Sequence, residues 1–480
     1  MKAAIKIFLI LLSSNIPGFC WSQSYKPVIE WKHFYPADPR LIVKSGYLVV
    51  PENRQHPDSK KIKVAFIFLR RPDQSATKNV SLYTVGGPGY STINGIDSMG
   101  YEFGYLKFGG TVMFDQRGTK MSEPCLACGE IDEAIRRSYA EGKSQDSLVL
   151  QAVKDCRKRL TGQGIDLSAY NTLEAAEDIN DLRKTLGLDS LNLIGLSYSG
   201  GLMLTVARNH PEAVKTLILR SPLPGFVNYD ESGLINFTEA LEQVFENCRL
   251  DSASELYSGL KERFHQYFTS VTGKKFKLRY LPKSAKDSVT ITYDKSDLLD
   301  VIDGMLSSGE VKGVPRVMLD LMAGKHQRYI NDMMDGYYSG NIAISTGMRY
   351  SAFCSEQTDF ANLALQKSQD TILPWLSGYR YNDVTPAICR CWNVPREPAE
   401  VKTPVFSSVP ALIVGGDADP GCSIQYNRLI KRTLPNAQLL IRHNEGHGSG
   451  FKVNGVDYLE MFLAHPYQKL VSQSKDLRIE

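Results

Sequence analysis

The stretch from Leu191 to Leu202, LNLIGLSYSGGL, constrains this chain more than any other. Apolar residues fill four of its first six positions, as in a buried strand, and Gly195, Ser197, Ser199, Gly200 and Gly201 then crowd small residues into a sharp turn. LMLTVARNHP follows and reads as a helix. In a strand, tight turn and helix of this kind, small neighbours let the backbone bend hard enough to lift a serine hydroxyl clear of a sheet. Ser197 is therefore the candidate nucleophile. The pattern expected around such a serine is G-x-S-x-G; here Ser199 holds its last position and Gly200 arrives one residue late.

The flanking segments predict a mostly parallel sheet. Tyr47 to Val50 and Ile62 to Leu69 are β-branched and apolar with a polar turn between them, which reads as an opening antiparallel pair. Val80 to Val85 runs straight into Gly86-Gly87-Pro88-Gly89, a rigid loop whose backbone can approach a ligand closely. An amide of Gly86 or Gly87, together with that of Tyr198 just after the nucleophile, supplies the candidate oxyanion hole. Thr111 to Phe114 ends at Asp115-Gln116-Arg117, where Asp115 and Arg117 are expected to pair and brace a loop. Asn171 to Leu186 is helical, with Asn171 and Glu174 as a capping-box-like start and Gly187 as its stop. That helix leads into the Ser197 strand, and strand, helix, strand in this order indicates a parallel crossover. Val214 to Leu219 adds a strand. Amphipathic helical segments then dominate until the strand pattern resumes at Ala411 to Val414 and Gln438 to Arg442, with a closing helix near Val456 to Ala464. The expected class is α/β: a mostly parallel sheet with helices on both faces, in two parts, 23–225 and 400–480, around a mainly helical cap at 226–399 inserted after the nucleophile half.

A serine hydroxyl is a weak nucleophile unless a base takes its proton, and that base needs an orienting carboxylate. Both are available in loops after strands. GGDADP follows Ala411 to Val414, and HNEGHG follows Gln438 to Arg442. His447, between Gly446 and Gly448, is the candidate base, whereas His443 sits at the strand end and reads as structural. Asp419 lies further into its loop than Asp417 and is the candidate acid, with Asp417 as the fallback.

Composition sets bounds on the rest. A chain of 480 residues with 42% hydrophobic and 22% charged residues buries a large core. The formal charge of +4 gives no argument for nucleic acid. Lys2 and Lys6, the short apolar run Ile7 to Leu12 and then small and polar residues follow signal-peptide order, so residues 1–22 are expected to be removed on export. No apolar run is long enough to span a bilayer, so an integral membrane protein is not expected. The cysteines beyond residue 22 are even in number, which in an exported protein points to disulfides. Cys125 or Cys128 with Cys156, and Cys354 with Cys389 or Cys391, are the candidate pairs. Cys125-Leu-Ala-Cys128 lacks the second pair or the histidine that a zinc site needs, and the chemistry calls for no metal or organic cofactor.

GYLVVPENR, VGGPG, DQRGTKMSEP, YNTLEAAEDINDLRKTLG, GLSYSGG, AFCSEQ, GGDADPG and EGHG together resemble the secreted α/β-hydrolases of the prolyl aminopeptidase and tripeptidyl aminopeptidase family. The resemblance covers most of the chain after the leader and is weakest through the cap. It implies an α/β-hydrolase core with a helical cap, and release of residues or short peptides from free peptide N-termini. It places the nucleophile on Ser197, the acid on Asp419, the base on His447 and the oxyanion loop on Val85 to Gly89. Val85 stands where the family has histidine, Ser199 where it has glycine, and Lys120 where D-Q-R-G-T-G would have glycine. Acidic cap residues in this family hold the substrate's α-ammonium, and Glu356 is the candidate here. The expected partner is thus a peptide with a free N-terminus. A carboxylesterase on the same scaffold, or a binding protein that kept the fold and lost catalysis, are the alternatives.

Overall fold

The computed structural model describes residues 25–33, 38–93, 104–250, 255–283, 285–339 and 344–480, so the expected signal segment lies outside the described residues. Among them, runs of β-branched and apolar residues pair into a ten-stranded sheet. One edge is an antiparallel ribbon of β1 (Val28–Trp31), β2 (Ile42–Pro51) and β3 (Lys61–Arg70), the last antiparallel to β5 (Thr111–Phe114). The centre is parallel throughout: β5, β4 (Ser81–Thr84), β6 (Leu191–Leu196), β7 (Val214–Arg220), β10 (Ala411–Gly416) and β11 (Ala437–Arg442). β14 (Leu477–Ile479) closes the far edge antiparallel to β11.

The central strands read as apolar runs because both of their faces are covered. Every residue of β5 and β10 is buried. On one face, helices Thr172–Thr185 and Tyr198–Asn209 pack Ile179, Leu182, Leu202 and Val206 against Leu193 and Leu217. On the other, helix Tyr458–Ala464 packs Leu459 and Phe462 against Ile194, Ile218 and Leu412.

Between β7 and β10 the chain leaves the sheet and builds a second core from helices such as Tyr229–Leu250, Leu260–Ser270 and Lys295–Ser307, around Phe237, Phe264, Phe268 and Leu298. This segment is not wholly helical: β8 (Lys275–Tyr280) and β9 (Val289–Asp294) form an antiparallel hairpin on it. A last two-stranded ladder, β12 (Lys452–Val453) with β13 (Val456–Asp457), follows the His447 loop. Disulfides join Cys128 to Cys156 and Cys354 to Cys389. Among the described residues, no helix is long and apolar enough to cross a membrane.

Asp115 and Arg117 do not pair with each other. Asp115 turns toward the glycine loop and accepts from Ser91 Oγ at 2.7 Å and from the amides of Thr92 and Ile93 at 2.6 and 2.9 Å. Arg117 turns the other way, fully buried, onto Asp178 at 2.7 Å and Glu174 at 3.2 Å, carboxylates of helix Thr172–Thr185 that it shares with Arg54. Arg117 is satisfied wholly by groups the local sequence does not contain and Asp115 largely so, with Met121 N at 3.1 Å its local donor, since a buried charge survives only beside partners.

Candidate functional site

Ser197 sits at the turn between β6 and helix Tyr198–Asn209 with φ 60° and ψ −127°. A non-glycine residue adopts this strained conformation only where its surroundings hold it. Here Ser197 N donates to Arg220 O at 2.9 Å, while Ser197 O accepts from Gly200 N and Leu223 N, also at 2.9 Å. Glycines keep the turn passable. A Cβ on Gly195 would lie 2.5 Å from Ser199 O, one on Gly200 2.5 Å from Pro222 Cβ, and one on Gly201 2.5 Å from Leu223 O. Ser199 fits where a glycine was expected because its hydroxyl is used: it donates to Thr84 O at 2.7 Å and accepts from Leu196 N at 2.8 Å, tying the elbow to the end of β4.

The glycine loop after β4 lies directly against this elbow. A Cβ on Gly86 would fall 2.8 Å from Ser197 Cβ and 2.9 Å from Tyr198 N. The amide of Tyr198 opens its helix, and the amides of Gly86, Gly87 and Tyr198 are committed to no backbone acceptor among the described residues. Donors at a helix N-terminus suit developing negative charge.

The two loops after β10 and β11 meet beside Ser197. His447 Nδ1 lies 2.9 Å from Asp419 Oδ2, whose side chain is completely buried while the histidine keeps 21% exposure. Asp419 Oδ1 also accepts from the amides of Gly421 at 3.0 Å and Cys422 at 2.8 Å. Ser221 fastens the two loops together, accepting from Gly448 N at 2.9 Å and donating to Asp419. Burial alone would raise Asp419 and lower His447, but their mutual attraction outweighs it, so the carboxyl stays below its ordinary range and the imidazole well above. Asp417 is elsewhere: it pairs with His443 at 2.8 Å, on the exposed side of the same loops.

Ser197 and His447 share no direct hydrogen bond in this structure. Both instead meet the thiol of Cys422, which lies 3.9 Å from Ser197 Oγ and in hydrogen-bond contact with the imidazole. Catalytic hydrogen bonds of this kind commonly tighten when substrate binds.

The inserted segment reaches this centre through helix Lys295–Ser307. Leu306 O, at its end, accepts from His447 N at 3.0 Å, and a Cβ on Gly446 would lie 1.8 Å from that same oxygen. One turn earlier stands Asp303, whose carboxyl feels the charges of His447 and Asp419. Tyr381 donates to its carboxylate, yet Oδ1 is sealed from solvent with no partner. Burial raises the Asp303 carboxyl from 3.8 to about 7, a shift that His447 opposes. The signal was present in the sequence: Asp297, Asp300 and Asp303 recur every three residues among Leu298, Leu299, Val301, Ile302, Met305 and Leu306.

Glu356 has a different setting. One carboxylate oxygen accepts from Thr172 N and the other from Thr172 Oγ1, each at 2.6 Å, and Thr172 Oγ1 in turn bonds the Tyr198 hydroxyl at 2.5 Å. The carboxylate caps helix Thr172–Thr185 and steadies the Tyr198 ring, with both oxygens in use.

A sequence profile described as alpha/beta hydrolase fold matches residues 110–452. Among curated proteins, the chain is similar to the putative hydrolase YuaR of Escherichia coli K12, 22% identical over 50% of this chain and 49% of the relative. It is also similar to the serine protease Hip1 of Mycobacterium tuberculosis H37Rv, 26% identical over 47% of this chain and 45% of that protein. The tripeptidyl aminopeptidase of Streptomyces lividans is 24% identical over 37% of this chain and 35% of its own length. The chain thus spans about half the length, or less, of the curated relatives it matches. Among solved structures, an esterase from Exiguobacterium antarcticum aligns over 85% of this chain and 94% of its own at 15% identity, with a TM-score of 0.32.

Proposed function

The chain belongs to the α/β-hydrolase fold family, and from that premise we propose that it is an exported serine aminopeptidase that releases residues or short peptides from free peptide N-termini through an acyl-enzyme. Ser197 Oγ attacks the scissile carbonyl while His447, in its neutral form, leaves the Cys422 thiol to take the serine proton. Asp419 holds Nδ1 and stabilises the imidazolium that forms. The amides of Tyr198 and of Gly86 or Gly87 receive the oxyanion. His447 then protonates the leaving amine, and water repeats the sequence to free the acyl group.

One observation carries the choice of aminopeptidase over esterase: the unpartnered Oδ1 of Asp303, a carboxyl within the field of His447. A carboxylate oxygen shut away from water without a donor is costly, and the cost is recovered when a ligand brings a cation. A peptide with its first residues in the site brings an α-ammonium. We therefore assign ammonium recognition to Asp303 rather than to Glu356, whose oxygens Thr172 already occupies. The disulfides Cys128–Cys156 and Cys354–Cys389 support export, since such bonds persist in oxidising compartments.

The test has two stages. A fluorophosphonate should label Ser197 in the native protein and fail on Ser197→Ala; absence of label would leave the non-catalytic binding reading. Peptides with free N-termini should then turn over faster than their N-acetyl forms. Equal rates, with simple esters preferred, would favour the carboxylesterase.

A further inference from the structure

The glycine loop that carries Gly86 and Gly87 is not held by the sheet alone. Helix Thr346–Glu356 of the inserted segment lies against it. Ser345 N donates to Gly89 O at 2.8 Å, Tyr90 and Ile344 form an isolated antiparallel bridge, and a Cβ on Gly89 would fall 2.7 Å from Ser345 O. From the first turn of this helix Arg349 reaches back and donates through Nη1 to Gly87 O. Asp383 holds the rest of the guanidinium, with Nε 2.9 Å from Oδ2 and Nη2 on Oδ1. The guanidinium carbon lies over the Phe353 ring, 4.6 Å from its centroid. Arg349 keeps only 15% side-chain exposure.

This clamp is aimed at a place where the backbone needs one. Gly87 has φ +121°, and consecutive glycines without side chains leave the loop many alternative paths. Oxyanion donors accelerate a reaction only if their direction is fixed before the charge appears. Fixing the Gly87 carbonyl limits rotation of the loop that presents the Gly86 and Gly87 amides to Ser197.

We propose that Arg349 is the positioning residue of the oxyanion loop, pinning the Gly87 carbonyl through a guanidinium that Asp383 and Phe353 orient. The inserted segment is thereby coupled to the stabilisation of the transition state as well as to substrate binding. The inference rests on Ser197 being the nucleophile.

The experiment compares Arg349→Met, Arg349→Lys and Asp383→Asn with the unaltered chain. It measures kcat and KM on a peptide with a free N-terminus, the affinity of a peptide boronic acid that forms a tetrahedral serine adduct, and the affinity of a product peptide that does not. Arg349→Met should lower kcat about 10- to 100-fold with KM within about threefold, because misplacing an oxyanion donor acts on the transition state alone. Boronate affinity should fall by the same factor as kcat/KM, and product-peptide affinity should hold. Arg349→Lys should recover about tenfold of the loss, since an ammonium still reaches the carbonyl but lacks the planar fork that Asp383 grips. Asp383→Asn keeps the arginine and should show a smaller loss of the same pattern, which carries the test if Arg349→Met does not fold. A rise in KM at constant kcat, equal losses for boronate and product peptide, or a lysine variant no better than methionine would overturn the proposal. An unaltered protein that no fluorophosphonate labels would overturn the Ser197 reading itself, and the inference with it.

Discussion

Replacing Asp303 by asparagine keeps the size of the side chain and removes its charge, so it separates ammonium recognition from folding. A hydrogen bond between an ammonium and a partly buried carboxylate contributes about 1.5–3 kcal/mol, or roughly 10- to 150-fold in an equilibrium or rate ratio. The expected loss in kcat/KM for a peptide anilide with a free N-terminus is of that size. An N-acetyl peptide or a simple aryl ester, which brings no cation, should change by no more than about twofold. Stability should move the opposite way. The folded Asp303 carboxyl is raised from 3.8 to about 7 by burial, so the folded state holds the proton more tightly than the unfolded chain. The residue therefore lowers stability as pH climbs through that interval, and fully above it. Asparagine carries no charge to bury, and at pH 8 the variant should unfold at higher denaturant, by about 1–2 kcal/mol once solvent around the residue is allowed for. Steady-state kinetics on the paired substrates and urea unfolding at pH 5 and pH 8 read both effects. Equal losses on free and blocked substrates, or no loss on either, would refute the reasoning.

The preference for free over N-acetyl peptides should itself depend on pH. It should be largest between the Asp303 value of about 7 and the α-amino value of about 8, falling on the acid side as the carboxyl protonates and on the alkaline side as the amine loses its proton; Asp303→Asn should flatten the profile. Glu356→Gln should leave that preference intact and lower the unfolding midpoint, because Glu356 serves Thr172 and the Tyr198 ring; a lost preference would return the ammonium to Glu356. Gly446→Ala should cost about 2–3 kcal/mol or more and depress kcat, since on the loop that carries His447 its Cβ would sit 1.8 Å from Leu306 O. Circular-dichroism melting and the same anilide assay check it, and an unperturbed variant would contradict the close approach.

The sequence by itself determined the local pieces whose chemistry is written in consecutive residues. Gly195, Ser197, Gly200 and Gly201 announce the elbow because a sharp turn excludes side chains wherever the chain runs. The apolar runs at Leu191, Val214 and Ala411 announce buried parallel strands for an equally local reason. Asp419 and His447 were legible as loop residues after strands, and Asp417 could be set apart only by how far each acid stands into its loop. The tertiary structure alone decided what meets what. Cys422 between Ser197 and His447, Asp303 in the field of the imidazole, and Arg349 on the Gly87 carbonyl join residues far apart in the chain. No periodicity records such contacts. The same holds for Arg117, whose partner is Asp178 and not its neighbour Asp115, and for Glu356, spent on Thr172. A buried charge is satisfied by whichever group the fold brings within about 3 Å, and sequence distance has no part in that choice.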